Sequence, residues 1–225
     1  MTRIEAIFFD LDDTLYPSEE AYGIGLRAAH AALSKRKKIS WPRFMDLYRK
    51  ARNAVKKTLG EVPAARNRML YFKELADGLN GPDAGLALEL MRAYDTCWTK
   101  VDATEGARIV KRLSRRFPLG LITNQVTAMQ LLKIKRIDPR GDRFKVIVTS
   151  EEAGVEKPDP KIFRLACRRM GVRPNHALMI GDSWKADILG SQKAGLIPVF
   201  LSPKKAAKSK SIARIKRLSE LESLL

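Results

Sequence analysis

Five short apolar runs recur along the chain: Ala6 to Phe9, Leu119 to Thr123, Val146 to Thr149, Ala177 to Ile180 and Ile197 to Leu201. They are rich in Ile, Val, Leu and Phe, are bounded by turn residues and do not alternate with polar positions, so they predict strands buried on both faces. Between most of them the apolar spacing changes to that of a helix. Thr104 to Arg116 puts Ala107, Val110 and Leu113 on one stripe. The segment opened by Asp159-Pro160 turns Ile162, Phe163, Leu165, Ala166 and Met170 inward. There Asp159 is expected as the N-cap, Pro160 as the first helical residue and Gly171 as the left-handed stop. A third helix is expected from about Trp184 to Ala194, ended by Gly195. Strands alternating with helices predict an α/β fold, a doubly wound parallel sheet with helices on both faces.

The interval between the first two strands departs from this rhythm. Tyr16 to Trp98 contains no buried-strand pattern and four amphipathic stretches: Glu19 to Ser34, Trp41 to Leu59, Ala65 to Leu79 and Leu86 to Trp98. Gly60, Pro63, Gly78, Gly81 and Pro82 punctuate them. Such a length is too great for a crossover inside a compact domain. The chain therefore divides into an α/β core domain, residues 1–15 and 99–225, and a smaller all-helical domain inserted at 16–98.

The composition changes this picture little. Hydrophobic residues make up 45% and charged residues 30% of 225 positions, enough apolar material for a packed core. No run of about 18 apolar residues predicts a membrane span, and the N-terminus has no apolar signal region. Cys97 and Cys167 fall far apart in helical patterns and read as buried thiols of a cytoplasmic protein. The formal charge of +18 raises nucleic acid as a partner. The densest basic groups, Lys35 to Lys38 and Lys204 to Arg217, carry no interleaved aromatics for base stacking, and no nucleic-acid-binding motif accompanies them. Nucleic acid is thus not expected as the main partner, and attraction of small anionic substrates is the milder use of the same field.

Candidate chemistry gathers where the strands end. Asp10 closes the first strand and Asp12 follows two residues later. In an open parallel sheet, ligands bind beyond the carboxyl ends of the strands at the switch point of strand order. A carboxylate there can attack phosphorus and form an aspartyl-phosphate, and a second can protonate the leaving oxygen and later deprotonate water. Asp182, in Gly181-Asp182-Ser183 after the fourth strand, offers a second hard oxygen for Mg2+, which takes about six oxygen ligands. Asp187 lies about one turn into the next helix and can orient neighbours, as can Ser183. Lys157, in Glu156-Lys157-Pro158-Asp159, is a point charge suited to phosphate oxygens. Thr123 and Asn124 end the second strand with a hydroxyl and an amide, donors for a phosphoryl group.

Taken in order, these segments resemble the haloacid dehalogenase superfamily of hydrolases, and the resemblance covers nearly the whole chain. Asp10-Leu11-Asp12-Asp13-Thr14 is similar to its Asp-x-Asp-x-Thr motif, Thr123-Asn124 to the second, Lys157 to the third, and Gly181-Asp182-Ser183 with Asp187 to the fourth. The resemblance implies a Rossmann-like core with a helical cap. It implies Asp10 as nucleophile and Mg2+ ligand, and Asp12 as general acid–base with its carbonyl on the metal. Thr123, Asn124 and Lys157 would hold the phosphoryl group, and Asp182 would complete the metal site. Ala186 departs from the pattern, since many relatives carry Asn before the last aspartate. Asp12 favours hydrolysis of a small phosphorylated metabolite, because dehalogenases and phosphonatases of the superfamily lack an acid there. A phosphomutase on the same core is the runner-up, and a basic nucleic-acid-binding module with a relic site is the alternative from another class.

Overall fold

The computed structural model describes residues 3–203 and 212–225, with the side chain of Asn80 left aside. The lysine-rich stretch Lys204 to Lys210 lies outside the described residues. The chain divides into two compact units. One runs to Pro17 and resumes at Asp102, and the other is Ser18–Val101. The divide falls after Pro17 rather than before Tyr16, for a local reason. Asp13 N donates to Tyr16 O, and Tyr16 N to Leu11 O, so Tyr16 is tied into the turn that follows the first strand.

The first unit is built on a six-stranded parallel sheet: β1 (Ala6–Phe9), β2 (Leu119–Thr123), β3 (Phe144–Thr149), β4 (Ala177–Gly181), β5 (Ile197–Leu201) and β6 (Ala213–Ile215). Its spatial order is β3-β2-β1-β4-β5-β6. All residues of β1, β2 and β4 are buried, which is why their sequences read as unbroken apolar runs. Phe8 lies opposite Gly120 on β2 and Met179 on β4. A Cβ on Gly120 would stand 2.5 Å from the Phe8 ring, so the glycine makes room for the largest side chain at the centre of the sheet. From β1 the chain steps outward through β2 to β3, then returns to place β4 on the other side of β1. The strand order therefore reverses at β1, and the space beyond its carboxyl end is the switch point.

Helices α5 (Thr104–Leu113), α6 (Thr127–Ile137), α7 (Ser150–Ala153), α8 (Pro160–Met170) and α9 (Gly190–Ala194) belong to the same unit. The ends of α8 match expectation: the Asp159 carboxylate accepts from Lys161 N at 2.8 Å, and Gly171 stops the helix at φ 72°. Two features differ. The α6 helix and the β6 strand have no counterpart among the patterns read from sequence. The helix expected over Trp184 to Ala194 is also not uniform, because Trp184–Leu189 is a wide π-helical stretch and only Gly190–Ala194 is α-helical.

The second unit holds α1 (Ser18–Arg36), α2 (Trp41–Leu59), α3 (Arg68–Asn80) and α4 (Ala84–Asp95), with 3-10 turns at Pro63–Arg66 and Thr96–Thr99. Its interior is aromatic. Tyr48 touches the rings of Phe44, Tyr71 and Phe72, and Tyr94 touches those of Phe72 and Trp98. Cys97 and Cys167 are both buried, one in each unit, and form no disulfide. No helix among the described residues is long and apolar enough to cross a membrane.

Candidate active site

The loop after β1 folds back on itself. Leu15 N and Tyr16 N both donate to Leu11 O, and Asp13 takes a left-handed φ of 58° to close the turn. Asp10 is held at the strand end by its own N–H, which donates to Ile180 O at 2.8 Å, and its side chain is nearly covered. Lys157 reaches it from the loop before α8, with Nζ donating to Asp10 Oδ1 at 2.6 Å and to Asp187 Oδ1 at 2.6 Å. The remaining oxygen of Asp187, Oδ2, accepts from Ser183 N at 2.9 Å. The π-helical stretch is marked by Ser183 O, which accepts from both Asp187 N and Ile188 N. A Cβ on Gly181 would sit 2.4 Å from Asp187 Cγ, so only glycine at the end of β4 allows this carboxylate to approach.

The sequence-predicted residues Asp10, Lys157, Asp182 and Asp187 are thus brought together. Single carboxylate oxygens of Asp10, Asp182 and Asp187 lie within 4.8 Å of one another. Burial pushes the Asp10 carboxyl well above its usual range, opposed by Lys157 and reinforced by Asp187 and Asp12. Asp182, nearer the surface, is pushed up to about 6 by burial and by the carboxylates of Asp187 and Asp13. Burial works against the Lys157 ammonium, but Asp10 and Asp187 more than offset it and keep the lysine charged. Three carboxyl groups gather around one ammonium, so once ionised they outnumber the positive charge of the cluster. Clustered hard oxygens with that deficit fit a divalent cation such as Mg2+.

Asp12 is held on a different pair. Lys133 Nζ donates to its Oδ1 at 2.5 Å, and Gln130 Nε2 lies 3.3 Å from its Oδ2. The same Gln130 amide donates to Thr123 Oγ1 at 2.5 Å. Lys133 and Gln130 are fully buried on α6, and sequence reading missed both. A Gln and a Lys three apart after the strand-end Thr-Asn were the available signal, masked by the many other lysines of the chain. Helix α6 is fixed where it starts: Thr127 N donates to Glu151 Oε2 at 2.8 Å, and the Thr127 and Thr149 hydroxyls share a hydrogen bond of 2.7 Å.

Asn124 and Ser183 are tied to the backbone around the site. Both ends of the Asn124 amide are engaged with the Lys157 backbone: Nδ2 donates to Lys157 O at 2.8 Å, and Oδ1 accepts from Lys157 N at 2.7 Å. Asn124 therefore anchors the loop that aims Lys157. Ser183 Oγ accepts from Ala186 N at 3.2 Å, the N-cap of the π-helical stretch, so Ser183 shapes the turn that carries Asp187. Thr14 Oγ1 donates weakly, at 3.4 Å, to Asp182 Oδ1.

Fold and site together define a class, an α/β enzyme with an acid-rich, lysine-neutralised centre at the switch point of its sheet. The profile of the family described as haloacid dehalogenase-like hydrolase matches residues 4–195. The chain is 33% identical over 208 residues to the ribulose-1,5-bisphosphate 5-phosphatase of Halopiger xanaduensis, covering 88% of this chain and 84% of that protein. Among solved structures it is similar to a 2-haloacid dehalogenase from Pseudomonas syringae pv. Tomato DC3000, with a TM-score of 0.77, 24% identity and 98% and 97% of the two chains covered. It is also similar to the magnesium-bound HAD-hydrolase YfnB of Bacillus subtilis, with a TM-score of 0.74, 24% identity and 99% of each chain covered. The chain belongs to the haloacid dehalogenase-like hydrolases. It is an enzyme of the phosphatase kind within that family.

Proposed function

We propose that the protein is a Mg2+-dependent phosphatase that hydrolyses a small phosphorylated metabolite through a phosphoryl group carried on Asp10. The observation that carries this reading is the pair of separately held carboxylates, Asp10 on Lys157 and Asp12 on Lys133 and Gln130. In this reading Asp10 is the nucleophile and Asp12 the proton carrier. The relatives named as phosphatases of ribulose bisphosphate and glyceraldehyde 3-phosphate support a small sugar-phosphate-like substrate.

In the first step an Asp10 carboxylate oxygen attacks phosphorus, the ester P–O bond breaks, and Asp12 gives its proton to the departing oxygen. In the second, Asp12 takes a proton from water, the water oxygen attacks the same phosphorus, and the bond to Asp10 breaks to release phosphate. Lys157 neutralises Asp10 and Asp187 and is the cation best suited to the phosphoryl oxygens, with Thr123 as a hydroxyl donor. Asp10 and Asp182, with the Asp12 carbonyl, would hold Mg2+, and Asp187 orients the lysine. When bound, the metal would offset the repulsion between a carboxylate nucleophile and a phosphate dianion. The helical unit, residues 18–101, serves in this reading as the cap that selects the substrate.

Asp12 decides against dehalogenation, which needs no acid for the leaving group. The test is hydrolysis of an aryl phosphate with Mg2+, with EDTA, and after Asp10→Asn. Activity is expected only with Mg2+ and intact Asp10. Hydrolysis that survives in EDTA removes the metal from the reading.

A further inference from the structure

The amino ends of β2 and β3 lie side by side, with Leu119 paired to Phe144. The chain enters β2 through Ser114 to Pro118, just past the end of α5, and enters β3 through Asp138 to Arg143. Where these segments meet there is a cavity of about 460 Å³. Six cations line it, Lys111, Arg115, Arg116, Arg140, Arg143 and Lys145, against one carboxylate, Asp142.

Two of the six cations are paired. Arg140 lies 3.1 Å from Asp142, and Arg143 lies 3.4 Å from the buried Asp138. Lys111, Arg115, Arg116 and Lys145 are exposed and form no ion pair among the described residues. The helix dipole explains only part of this. Lys111 sits in the last turn of α5, where partial negative charge favours a cation. Arg140, Arg143 and Lys145 come from a loop and a strand, so the dipole does not account for them. The backbone that carries these side chains is held in place. The Asp138 carboxylate accepts from Gly141 N at 3.2 Å and from Arg143 N at 2.9 Å, and Gly141 takes a left-handed φ of 71° to close that turn. On the other wall Arg116 N and Phe117 N both donate to Leu113 O at 2.9 Å, and the Arg116 guanidinium lies 5.3 Å from the Phe117 ring centre. Binding would therefore have little backbone left to order.

We infer that this cavity is an anion site, taking the linked phosphate groups of a small polyphosphate. Four unpaired cations around one space call for several negative charges close together, and a single phosphate monoester carries only about two. Arginine forks suit phosphate oxygens in pairs, and lysines suit them as point charges. The volume is that of a small-molecule site, and a local cavity differs from the long basic groove that tracks a nucleic-acid strand. The site is at the far end of the sheet from Asp10, since the five residues of β2 alone span roughly 15 Å. It uses no residue of the catalytic centre and does not rest on the phosphatase reading.

The test is calorimetric titration of the full chain with inorganic tripolyphosphate and, separately, with ATP, in EDTA at fixed ionic strength. Orthophosphate is the single-phosphate control, and EDTA keeps metal out of the acid cluster at Asp10. One equivalent of tripolyphosphate or ATP is expected to bind at least about tenfold more tightly than orthophosphate, and the tighter of the two names the source of the phosphates. Arg115→Ser with Lys145→Ser removes one unpaired cation from each wall and should weaken that binding at least about tenfold. Lys35→Ser with Lys38→Ser removes the same charge from the helical unit and should leave binding unchanged. Equal weakening in the two double variants would reduce the effect to net charge and overturn the site. Tighter binding of a single-stranded oligonucleotide than of either small polyphosphate would overturn the assigned ligand. Absence of saturable binding to the parent chain would overturn the inference without any variant.

Discussion

In the α/β unit each buried cation at the strand ends sits on a carboxylate: Lys157 between Asp10 and Asp187, and Lys133 on Asp12. In the helical unit Arg68 sits among tyrosines instead. Both arrangements withdraw positive charge from water, but by different means. Around Lys157 carboxylates outnumber the ammonium, so the cluster has room for a further cation. Around Arg68 no carboxylate among the described residues forms an ion pair, and aromatic rings face the guanidinium instead. The difference shows that one basic chain settles its buried cations in two ways, on carboxylates in one unit and against aromatic rings in the other.

The comparison can be broken most severely at Lys157. Lys157→Met leaves two carboxylates covered and unpaired, and chemical denaturation near neutral pH should show a loss of about 3–5 kcal/mol. A loss below about 1 kcal/mol would mean that water reaches the pair and that it is not a buried ion cluster. Next in size is Lys133→Met. If Lys133 positions Asp12, kcat falls at least about tenfold with KM little changed, within the roughly 10²–10⁴-fold that loss of an acid–base group costs. A change confined to KM would move Lys133 from the chemistry to substrate binding.

Smaller effects separate the acids. Asp182→Ala should raise the Mg2+ concentration needed for half-maximal activity with little loss of stability. Asp187→Ala should instead lower stability, because it removes one of the two carboxylates that hold Lys157 Nζ and leaves Ser183 N without its acceptor. The pH dependence has a definite sign. The Asp182 carboxyl is raised from 3.8 to about 6 in the folded chain, so the folded state binds its proton more tightly than the unfolded chain does. In chelator, stability should therefore be greatest below about pH 4 with respect to this group and fall as pH rises to about 6, and Asp182→Asn should flatten that fall. The smallest effect is expected at Arg68→Gln. Removal of an unanswered charge offsets the lost ring contacts, so stability should stay within about 1 kcal/mol of the parent. A much larger loss would place Arg68 on the same footing as Lys157.

What could be read in the sequence follows the same physics. Strands such as Ala6–Phe9, Leu119–Thr123 and Ala177–Gly181 were legible because burial on both faces writes an unbroken apolar run. Helix α6 was not legible because its buried face is mixed, with Met129, Ile134 and Ile137 sharing it with Gln130 and Lys133. Leu131 and Leu132 are about half exposed, while Gln130 and Lys133 point inward to Asp12 and Thr123. A helix that turns its polar residues toward a reaction centre hides from a search for apolar stripes. The three-residue strand Ala213–Ile215 is too short and too basic to stand out. The acids and lysine of the site were legible as types at strand ends. That Asn124 grips the Lys157 backbone was not, because the pairing joins residues 33 apart.

The central claim is that the phosphoryl group passes through Asp10. It is tested most directly by acid-quenching the enzyme during turnover of a phosphate monoester with Mg2+ and mapping the modified peptide by mass spectrometry. The account predicts one phosphoryl group on Asp10, absent in Asp10→Asn, which should also be inactive. A phosphoryl group on another residue, or turnover that persists in Asp10→Asn, would contradict it.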